Sequence, residues 1–360
     1  MTRHIATIAA LMSMAASAQT ADTQTVSLLF AGDMMQHAPQ ITAARQPDGT
    51  YAYDECFEAV GADVASADVA ICNFEVTLGG PPYKGYPQFS APDDYFEAMT
   101  RAGFDVFLTA NNHCLDKGRA GLERTIRTID SLGYVQLGTY LDSLDRCARY
   151  PAVVEKNGIR IALLNYTYGT NGLPDRKPAI VNRIDRRQMK ADIERARQSS
   201  PDLIIANMHW GDEYKAEPND GQRQLARWLI DQGVDHVIGS HPHTVQTMEM
   251  MADDRGGQHL VVYSLGNYLS NMTKDFTAGG LTVRLTFEKT PQGTRLTDCR
   301  HCITYVARPV DSQLKNYKIL PAGSDISNLP TAVDEKMRLF VDEVRRRLAG
   351  CTCSQEYTLE

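Results

Sequence analysis

The stretch DHVIGSHPH (residues 235–243) places an apolar run directly before a glycine and two histidines, His241 and His243, that flank a proline. Short apolar runs that end in polar or glycine-rich residues recur along the chain, at 26–33, 69–75, 104–113, 159–166, 202–211 and 259–267. Runs of this kind, bounded by turn residues, are typical of buried strands. Residues 235–243 are therefore predicted to form one strand of a larger sheet, with two imidazoles at its end.

Segments with helical spacing of apolar residues separate these runs, at 118–133, 186–198 and 221–233. A glycine closes the first and the last, as suits a helix C-terminus. Alternation of strands and helices over this length predicts an α/β protein. The dipeptide Asn157-Gly158 is a strong hairpin signal, so part of the sheet is expected to be antiparallel.

The chain of 360 residues is predicted to have three parts. Residues 1–18 combine a short basic start, an apolar stretch and the small-residue pattern Ala16-Ser17-Ala18, which predicts a signal peptide. Residues 26–275 form the main domain, and 276–360 form a small accessory α+β region with an amphipathic helix around 332–349. We therefore expect export to the periplasm, the cell surface or the medium, without a membrane span in the mature chain.

Net charge and cysteine content restrict the partners. The net charge of -7, with both signs interspersed, offers no broad basic face, so nucleic acid is not an expected partner. Of the eight cysteines, Cys299, Cys302, Cys351 and Cys353 could form bridges or a four-thiolate zinc site. The other four are predicted to be buried apolar side chains or an occasional bridge: Cys56, Cys72, Cys114 and Cys147.

Polar side chains with metal-binding chemistry follow the predicted strands. In α/β sheets the carboxyl ends of strands form the edge where ligands bind. Each residue alone has a structural explanation: Asp33 could cap a helix, and His209 could be a half-buried histidine with satisfied hydrogen bonds. No such explanation accounts for their common position at the ends of predicted strands. Oxygen and nitrogen donors of this kind suit Zn²⁺, Mn²⁺ or Fe. We therefore predict one or two divalent ions bound by most of one set: Asp33, Glu75, Asn112, His209, His241 and His243.

The motifs GDMM, NFE, NNHxxDxG, HWGDEY, GSHPH and SLGN occur in this order between residues 26 and 270. Together they resemble the CapA-type capsule and poly-γ-glutamate biosynthesis proteins, whose domain is related to the calcineurin-like metallophosphoesterases. The resemblance implies a four-layer α/β/β/α sandwich with a di-metal centre. It also implies an exported metal-dependent hydrolase or transferase that helps to make, process or release an anionic capsular polymer such as poly-γ-glutamate.

The resemblance also implies roles for single residues. Asp33 would bind one metal, Glu75 would bridge, Asn112 and His209 would bind the second metal, and His241 and His243 would be divided between the two. The proline between the last two fixes φ and stiffens the turn, which lets their rings diverge.

One departure concerns the first strand. The phosphoesterases carry Asp-x-His there, whereas this chain has Asp33-Met34-Met35, with His37 as the nearest histidine. A thioether does not replace an imidazole on such an ion. The first metal site is thus expected to be weak, filled by His37 or water, or absent. This favours an alternative function, that of a non-catalytic polymer-binding component of an envelope synthesis or export assembly.

His113 and Asp116 are candidates for acid–base chemistry. By the same resemblance His113 acts near the leaving-group oxygen while Asp116 orients its ring, and positioned proton transfer is worth about 10²- to 10⁴-fold in rate. The alternative for Asp116 is a helix N-cap before GRAGLERT.

Two segments are predicted to form the rim of the site. The loop 79–92 offers Lys84 to an anionic polymer or phosphoester substrate, and the loop 166–178 offers Arg176 and Lys177. Three further residues are expected to contact substrate or support ligands: Glu213, Tyr214 and Asn267.

Overall fold

The computed structural model describes residues 23–359, so the predicted signal peptide at 1–18 falls outside the described residues. The strands are β1 (Gln24–Met34), β2 (Val69–Phe74), β3 (Val106–Leu108), β4 (Val135–Leu137), β5 (Thr139–Tyr140), β6 (Ala152–Lys156), β7 (Ile159–Thr167), β8 (Ile180–Val181), β9 (Leu203–His209), β10 (His236–Ser240), β11 (Met248–Ala252), β12 (Gln258–Val262), β13 (Asn267–Leu269), β14 (Gly279–Thr290), β15 (Gly293–Ala307), β16 (Lys318–Pro321) and β17 (Gln355–Glu356). The helices are α1 (Ala38–Ala44), α2 (Asp54–Phe57), α3 (Gly61–Ala65), α4 (Asp93–Arg101), α5 (Gly118–Ser131), α6 (Ser143–Arg149), α7 (Arg186–Gln198), α8 (Asp220–Asp231), α9 (Pro309–Ser312) and α10 (Thr331–Leu348).

Two mixed sheets form the centre of the molecule. The first has the order β16-β15-β14-β1-β2-β3-β4, with β13 added to β1 and β17 added to β15. The second has the order β11-β12-β10-β9-β7-β6. Strands β1 to β4 run parallel, as do β7, β9, β10 and β12, so each sheet gathers the carboxyl ends of its central strands at one edge.

Helices cover the outer face of each sheet. Along β1, Leu28 and Phe30 belong to the core between the sheets, whereas Leu29 and Ala31 pack with residues of α2 to α4. The sheets meet face to face, since the ring of His236 on β10 lies 5.3 Å from that of Phe287 on β14. Helices α7 and α8 bury one apolar face each against the second sheet. The four-layer α/β/β/α arrangement is confirmed.

Local sequence signals account for several boundaries. Helix α7 begins after Asp185, whose carboxylate accepts the backbone N–H of Gln188, and α8 begins after Asn219, which forms a capping box with Gln222. The predicted hairpin at 157–158 joins β6 to β7, with both residues at positive φ, 52° and 77°.

The region after residue 276 continues the first sheet. Strand β14 pairs antiparallel with β1 along Gln24 to Ala31, and β15 and β16 extend the sheet beyond it. Helix α10 packs on β15, where the ring of Phe340 lies 5.9 Å from that of Tyr305. The boundary at 276 stays a prediction. Within residues 23–359, the helices are all too short or too polar to cross a membrane.

Candidate metal centre and acid–base pair

The six predicted ligands converge at one edge of the two sheets. They come from the ends of β1, β2, β9 and β10 and from the loop after β3. Each is at most 2% exposed, although they are far apart in the chain: Asp33, Glu75, Asn112, His209, His241 and His243. The fold therefore brings these six side chains together at the ends of the strands, as the sequence predicts.

A β-bulge aims Asp33 at this cluster. Ala31 pairs with Cys72 and Asp33 pairs with Asn73, so Gly32 is an extra residue in β1. The bulge reverses the alternation of the strand, because Ala31 faces the helices while Asp33 faces the second sheet. A Cβ atom at Gly32 would lie 2.0 Å from the carbonyl oxygen of Gly266, so only glycine fits.

The Glu75 carboxylate lies at the centre of the cluster. Its Oε1 atom is 3.7 Å from Nε2 of His209 and 3.7 Å from Nε2 of His243. This oxygen is buried and has no hydrogen-bond partner among the described residues. Burial and the nearby carboxylates, Asp33 first, raise the pKa of Glu75 well above its usual value. Among the described residues, no protein cation therefore pairs with this buried carboxyl group.

Two overlapping groups of side chains could each hold a divalent ion. Glu75 groups with His241 and His243, and it also groups with Asp33 and His209, with all ligand atoms of a group within 4.8 Å of one another. Glu75 belongs to both groups, as a bridging ligand would. The two imidazoles of the HPH turn fall in the same group, whereas the resemblance divides them between two ions.

His209 and His241 have the protonation state that metal binding requires. Burial, followed by neighbouring imidazoles, lowers the pKa of His209 and of His241 well below the usual value. Neutral imidazoles keep a lone pair for a metal. Nδ1 of His241 is buried without a hydrogen-bond partner within residues 23–359. An unpaired carboxylate oxygen and an unpaired imidazole nitrogen in one buried cluster fit a bound divalent cation.

Amide side chains hold the ligands in place. Oδ1 of Asn112 lies 2.8 Å from Nε2 of His209. Asn73, which the sequence analysis did not single out, has its Nδ2 atom 2.7 Å from Oδ1 of Asp33, 3.3 Å from Oε2 of Glu75 and 3.2 Å from Nδ1 of His209. The period of two along β2 is the signal for it, since residues 73 and 75 face the same side.

The methionines after Asp33 point away from the site. Met34 and Met35 are buried in the core between the first sheet and its helices, and Sδ of Met34 lies 4.0 Å from the hydroxyl of Tyr95. His37 does not replace them, because its Nδ1 faces the Gln40 side chain and the Asn271 backbone N–H, and it belongs to neither ligand group of the described residues. The position of the missing imidazole is thus left without a histidine.

His113 and Asp116 form a buried pair beside this cluster. Nδ1 of His113 lies 2.7 Å from Oδ2 of Asp116, which also accepts the backbone N–H of Phe89 at 2.7 Å. Burial raises the pKa of Asp116, while the bond to His113 opposes the shift. The N-cap alternative for Asp116 is wrong, since α5 begins after Lys117 and has no side-chain cap.

The HPH turn has a strained backbone. His241 has φ of 101° and His243 has φ of 57°, values that residues other than glycine rarely adopt. Such strain costs about 1–3 kcal/mol for each residue and is typical of functional sites. The backbone N–H of Tyr214 donates to the Pro242 carbonyl at 2.8 Å, which ties the turn to the segment after β9.

Aromatic and cationic side chains line the mouth of the site. The Tyr168 ring lies 4.4 Å from that of His241 and is half exposed. The sequence predicts that its loop lies at the rim of the site, but nothing in the sequence marks Tyr168 itself. The Tyr214 ring lies 6.2 Å from that of His243, and Nζ of Lys274 lies 3.9 Å from the Tyr214 ring centroid. Glu213 beside it is exposed.

The remaining predicted contacts differ in position. Lys84 is exposed on the loop 79–92, where its backbone pairs with Ser90. Arg176 and Lys177 are exposed on the second loop, which reaches the site through Asn171 and Asn112. Asn267, predicted to contact substrate or to support a ligand, is fully buried, and its Oδ1 lies 3.0 Å from Nδ1 of His243. This position fits the support of a ligand better than a contact with substrate.

Two mixed sheets between helical layers, with a buried carboxylate and imidazole cluster at the strand ends, define a fold of the calcineurin-like metallophosphoesterase type. The structure is similar to Haemophilus influenzae NAD nucleotidase, with a TM-score of 0.50, 13% identity, and coverage of 94% of this chain and 65% of that chain. A calcineurin-like phosphoesterase from Bacillus subtilis gives a TM-score of 0.45, 14% identity, and coverage of 90% and 100%. At 13% identity, the likeness to the nucleotidase concerns the fold alone.

Within that class, residues 27–272 match the family described as bacterial capsule synthesis protein PGA_cap, and the chain belongs to this family. It is 27% identical over 263 residues to the capsule biosynthesis protein CapA of Bacillus anthracis, covering 69% of this chain and 60% of the relative. It is 29% identical over 259 residues to the PGA biosynthesis protein CapA of Bacillus subtilis, covering 68% and 63%. The chain thus spans less than two thirds of the length of these relatives.

Proposed function

We propose that this protein is an exported, metal-dependent hydrolase or transferase that acts in the synthesis, processing or release of an anionic capsular polymer such as poly-γ-glutamate. The names of the relatives in Bacillus anthracis and Bacillus subtilis support a role in capsule biosynthesis. Export to the periplasm or cell surface rests on the signal-peptide pattern of residues 1–18.

The observation that carries the proposal is the unpaired Oε1 atom of Glu75, 3.7 Å from two imidazole nitrogens. A buried carboxylate without a compensating charge is strongly unfavourable, so a cation is the natural partner. One or two ions, Zn²⁺, Mn²⁺ or Fe, would be held by Asp33, Glu75, Asn112, His209, His241 and His243. When bound, such an ion polarises an ester oxygen and lowers the pKa of its water.

Proton transfer falls to the chain's own residues. Asp116 accepts a hydrogen bond from Nδ1 of His113, which fixes the ring and leaves Nε2 to give a proton to the leaving-group oxygen. The backbone N–H of Phe89 holds Asp116 from the other side. The ring of Phe89, 4.5 Å from that of His113, keeps water from one face of the imidazole.

The rim supports an anionic substrate, either a polymer or a phosphoester. Lys274 and the aromatic rings of Tyr168 and Tyr214 border the opening. Lys84, Arg176 and Lys177 are exposed on the two loops and are proposed as further cationic contacts. An envelope synthesis complex is the proposed setting.

A second candidate function is a non-catalytic component that binds an anionic polymer within an envelope assembly. The burial of Met35 on the helix side of β1 favours it, because one imidazole of the phosphoesterase pattern is then missing.

Metal content and hydrolysis separate the two functions. The protein, a His113→Ala variant and a His259→Ala control would be compared for bound metal by elemental analysis. The same three would be tested for hydrolysis of a chromogenic phosphodiester and of poly-γ-glutamate. Catalysis predicts activity that vanishes only in His113→Ala, with metal content unchanged. Metal-independent polymer binding without hydrolysis would instead favour the binding component.

A further inference from the structure

A pair of thiols lies in the turn between α10 and β17, apart from the metal cluster. Sγ of Cys351 and Sγ of Cys353 are 2.9 Å apart, and both residues are partly exposed. All eight cysteines lie within residues 23–359, and none of them is in a disulfide. The two sulfurs are therefore close enough to be joined by a disulfide after a small movement, if an oxidant is present.

The two thiols are not equivalent. The Cys353 thiol lies against the Cys351 sulfur, and the backbone N–H groups of Cys353 and Ser354 also face that sulfur. These hydrogen bonds, the Cys353 thiol first, outweigh partial burial and lower the pKa of Cys351 to about 7. The hydrogen bond to Cys351, followed by burial, raises the pKa of Cys353. The backbone N–H groups that face Cys351 stabilise its thiolate, which suits this sulfur to attack first.

The other cysteines of this region are arranged differently. Cys299 on β15 is buried beside the pair, and Ser354 hydrogen-bonds to it while also lying 2.8 Å from Nδ1 of His301. Cys302 is fully buried and its thiol faces the carbonyl of Ile303. Within residues 23–359, no set of three potential ligands with atoms inside 4.8 Å includes a cysteine. This geometry does not fit the four-thiolate zinc alternative.

We propose that Cys351 and Cys353 form a reversible, redox-active dithiol that exchanges with low-molecular-weight disulfides such as glutathione disulfide. The Cys351 thiolate attacks one sulfur of the oxidant and releases a first glutathione thiolate. Cys353 then loses its proton and attacks the Cys351 sulfur, which releases the second. Two protein thiols become one disulfide, and the oxidant becomes two glutathione molecules that take up the two protons.

The two cysteines lie directly before a segment that contacts the first sheet and α10. Directly after it, β17 pairs with β15, Glu356 forms an ion pair with Arg345 at 2.7 Å, and the Tyr357 hydroxyl donates to Asp63 at 2.8 Å. A disulfide between residues 351 and 353 would close a small ring and restrict the turn that leads into these contacts. The proposal shares no residue with the metal site and does not depend on it.

The test uses the full chain in buffers of varied glutathione and glutathione disulfide ratio. After an acid quench, free thiols are alkylated with N-ethylmaleimide and the peptides are identified by mass. We expect the peptide with residues 351–353 to lose two hydrogens in oxidising buffer and to regain them in reducing buffer. A Cys147→Ser control, which removes an exposed cysteine elsewhere, is expected to behave as the parent does.

Two variants assign the roles. Cys353→Ser is expected to accumulate a mixed disulfide with glutathione at Cys351. Cys351→Ser is expected to react with glutathione disulfide about five- to tenfold more slowly than Cys353→Ser, because Cys351 keeps the two backbone N–H groups that stabilise its thiolate whereas burial disfavours the thiolate of Cys353. Circular dichroism checks that both variants are folded. Full alkylation of both cysteines at every buffer ratio, a bridge that maps to Cys299, or thiols protected by a bound metal would each overturn the proposal.

Discussion

The Oε1 atom of Glu75 lies 3.7 Å from the Nε2 atom of His243, and both side chains are almost completely buried. The two residues come from different sheets, β2 supplying the first and the turn after β10 the second. At this separation they do not form a direct hydrogen bond, so an unpaired carboxyl oxygen and an imidazole nitrogen face each other across a gap. A divalent ion held by Glu75 and His243 would satisfy both.

Replacing Glu75 by Gln should stabilise the metal-free protein. In the metal-free protein the buried Glu75 carboxyl group must either carry an unpaired charge or take up a proton, and both are unfavourable. The free energy of unfolding in EDTA is therefore expected to rise by about 1–3 kcal/mol in the variant. Saturating Mn²⁺ should stabilise the parent by about 2.7 kcal/mol at one hundred times its dissociation constant, and the variant much less. Urea unfolding with and without metal measures both effects. The exposed Glu335→Gln change is the control, and an equal response of all three proteins to metal would count against the site.

Replacing Asp116 by Asn should affect proton transfer and spare metal binding. The amide keeps the size of the side chain but not the charge that pairs with His113, so kcat for a phosphodiester is expected to fall about 10- to 100-fold. KM and metal content should stay near the parent values. A variant with unchanged kcat would show that the pair is structural.

Glycine at position 241 should be tolerated better than alanine. The φ of 101° at His241 favours glycine, so His241→Gly is expected to be more stable than His241→Ala by about 1 kcal/mol in metal-free buffer. Both variants lose the imidazole, so the difference isolates the backbone strain. Denaturant unfolding of the two proteins measures it, and equal stabilities would contradict the strained turn.

His236 should make the fold sensitive to acid. Its Nδ1 accepts the backbone N–H of Leu260 at 3.0 Å, and burial, followed by His259, lowers the pKa of His236 from 6.5 to about 3. The unfolded chain therefore binds the proton more readily between these two values. Stability from this residue is complete above pH 6.5 and falls with decreasing pH, by at most about 1.4 kcal/mol per unit. A His236→Asn variant, which keeps an acceptor but does not titrate, should flatten the measured slope of unfolding free energy from pH 6 to pH 4. An unchanged slope would rule this group out.

The local pattern of the sequence was enough for many elements. Helix α7 is predicted at 186–198 from the helical spacing of its apolar residues and spans Arg186–Gln198. The convergence of the candidate ligands was predictable because parallel strands bring their carboxyl ends to one edge. Both predictions need only the order of residues along the chain.

Features that depend on strand pairing could not be predicted in this way. The bulge at Gly32 exists only against β2, and without it the alternation of β1 would aim Asp33 at the helices. Asn73 and Tyr168 have common residue types, and their importance follows from what lies beside them in three dimensions. The burial of Asn267 likewise comes from the packing of β13 on β1.

The most direct measurement is a crystal structure with Zn²⁺ and anomalous scattering recorded at the zinc edge. One or two peaks are expected at about 2.0–2.2 Å from the Glu75 carboxylate and about 2.0–2.1 Å from nitrogens of the neighbouring histidines. A map with these side chains ordered in the same positions, no peak between them, and Glu75 bonded directly to an imidazole would contradict the proposed metal centre.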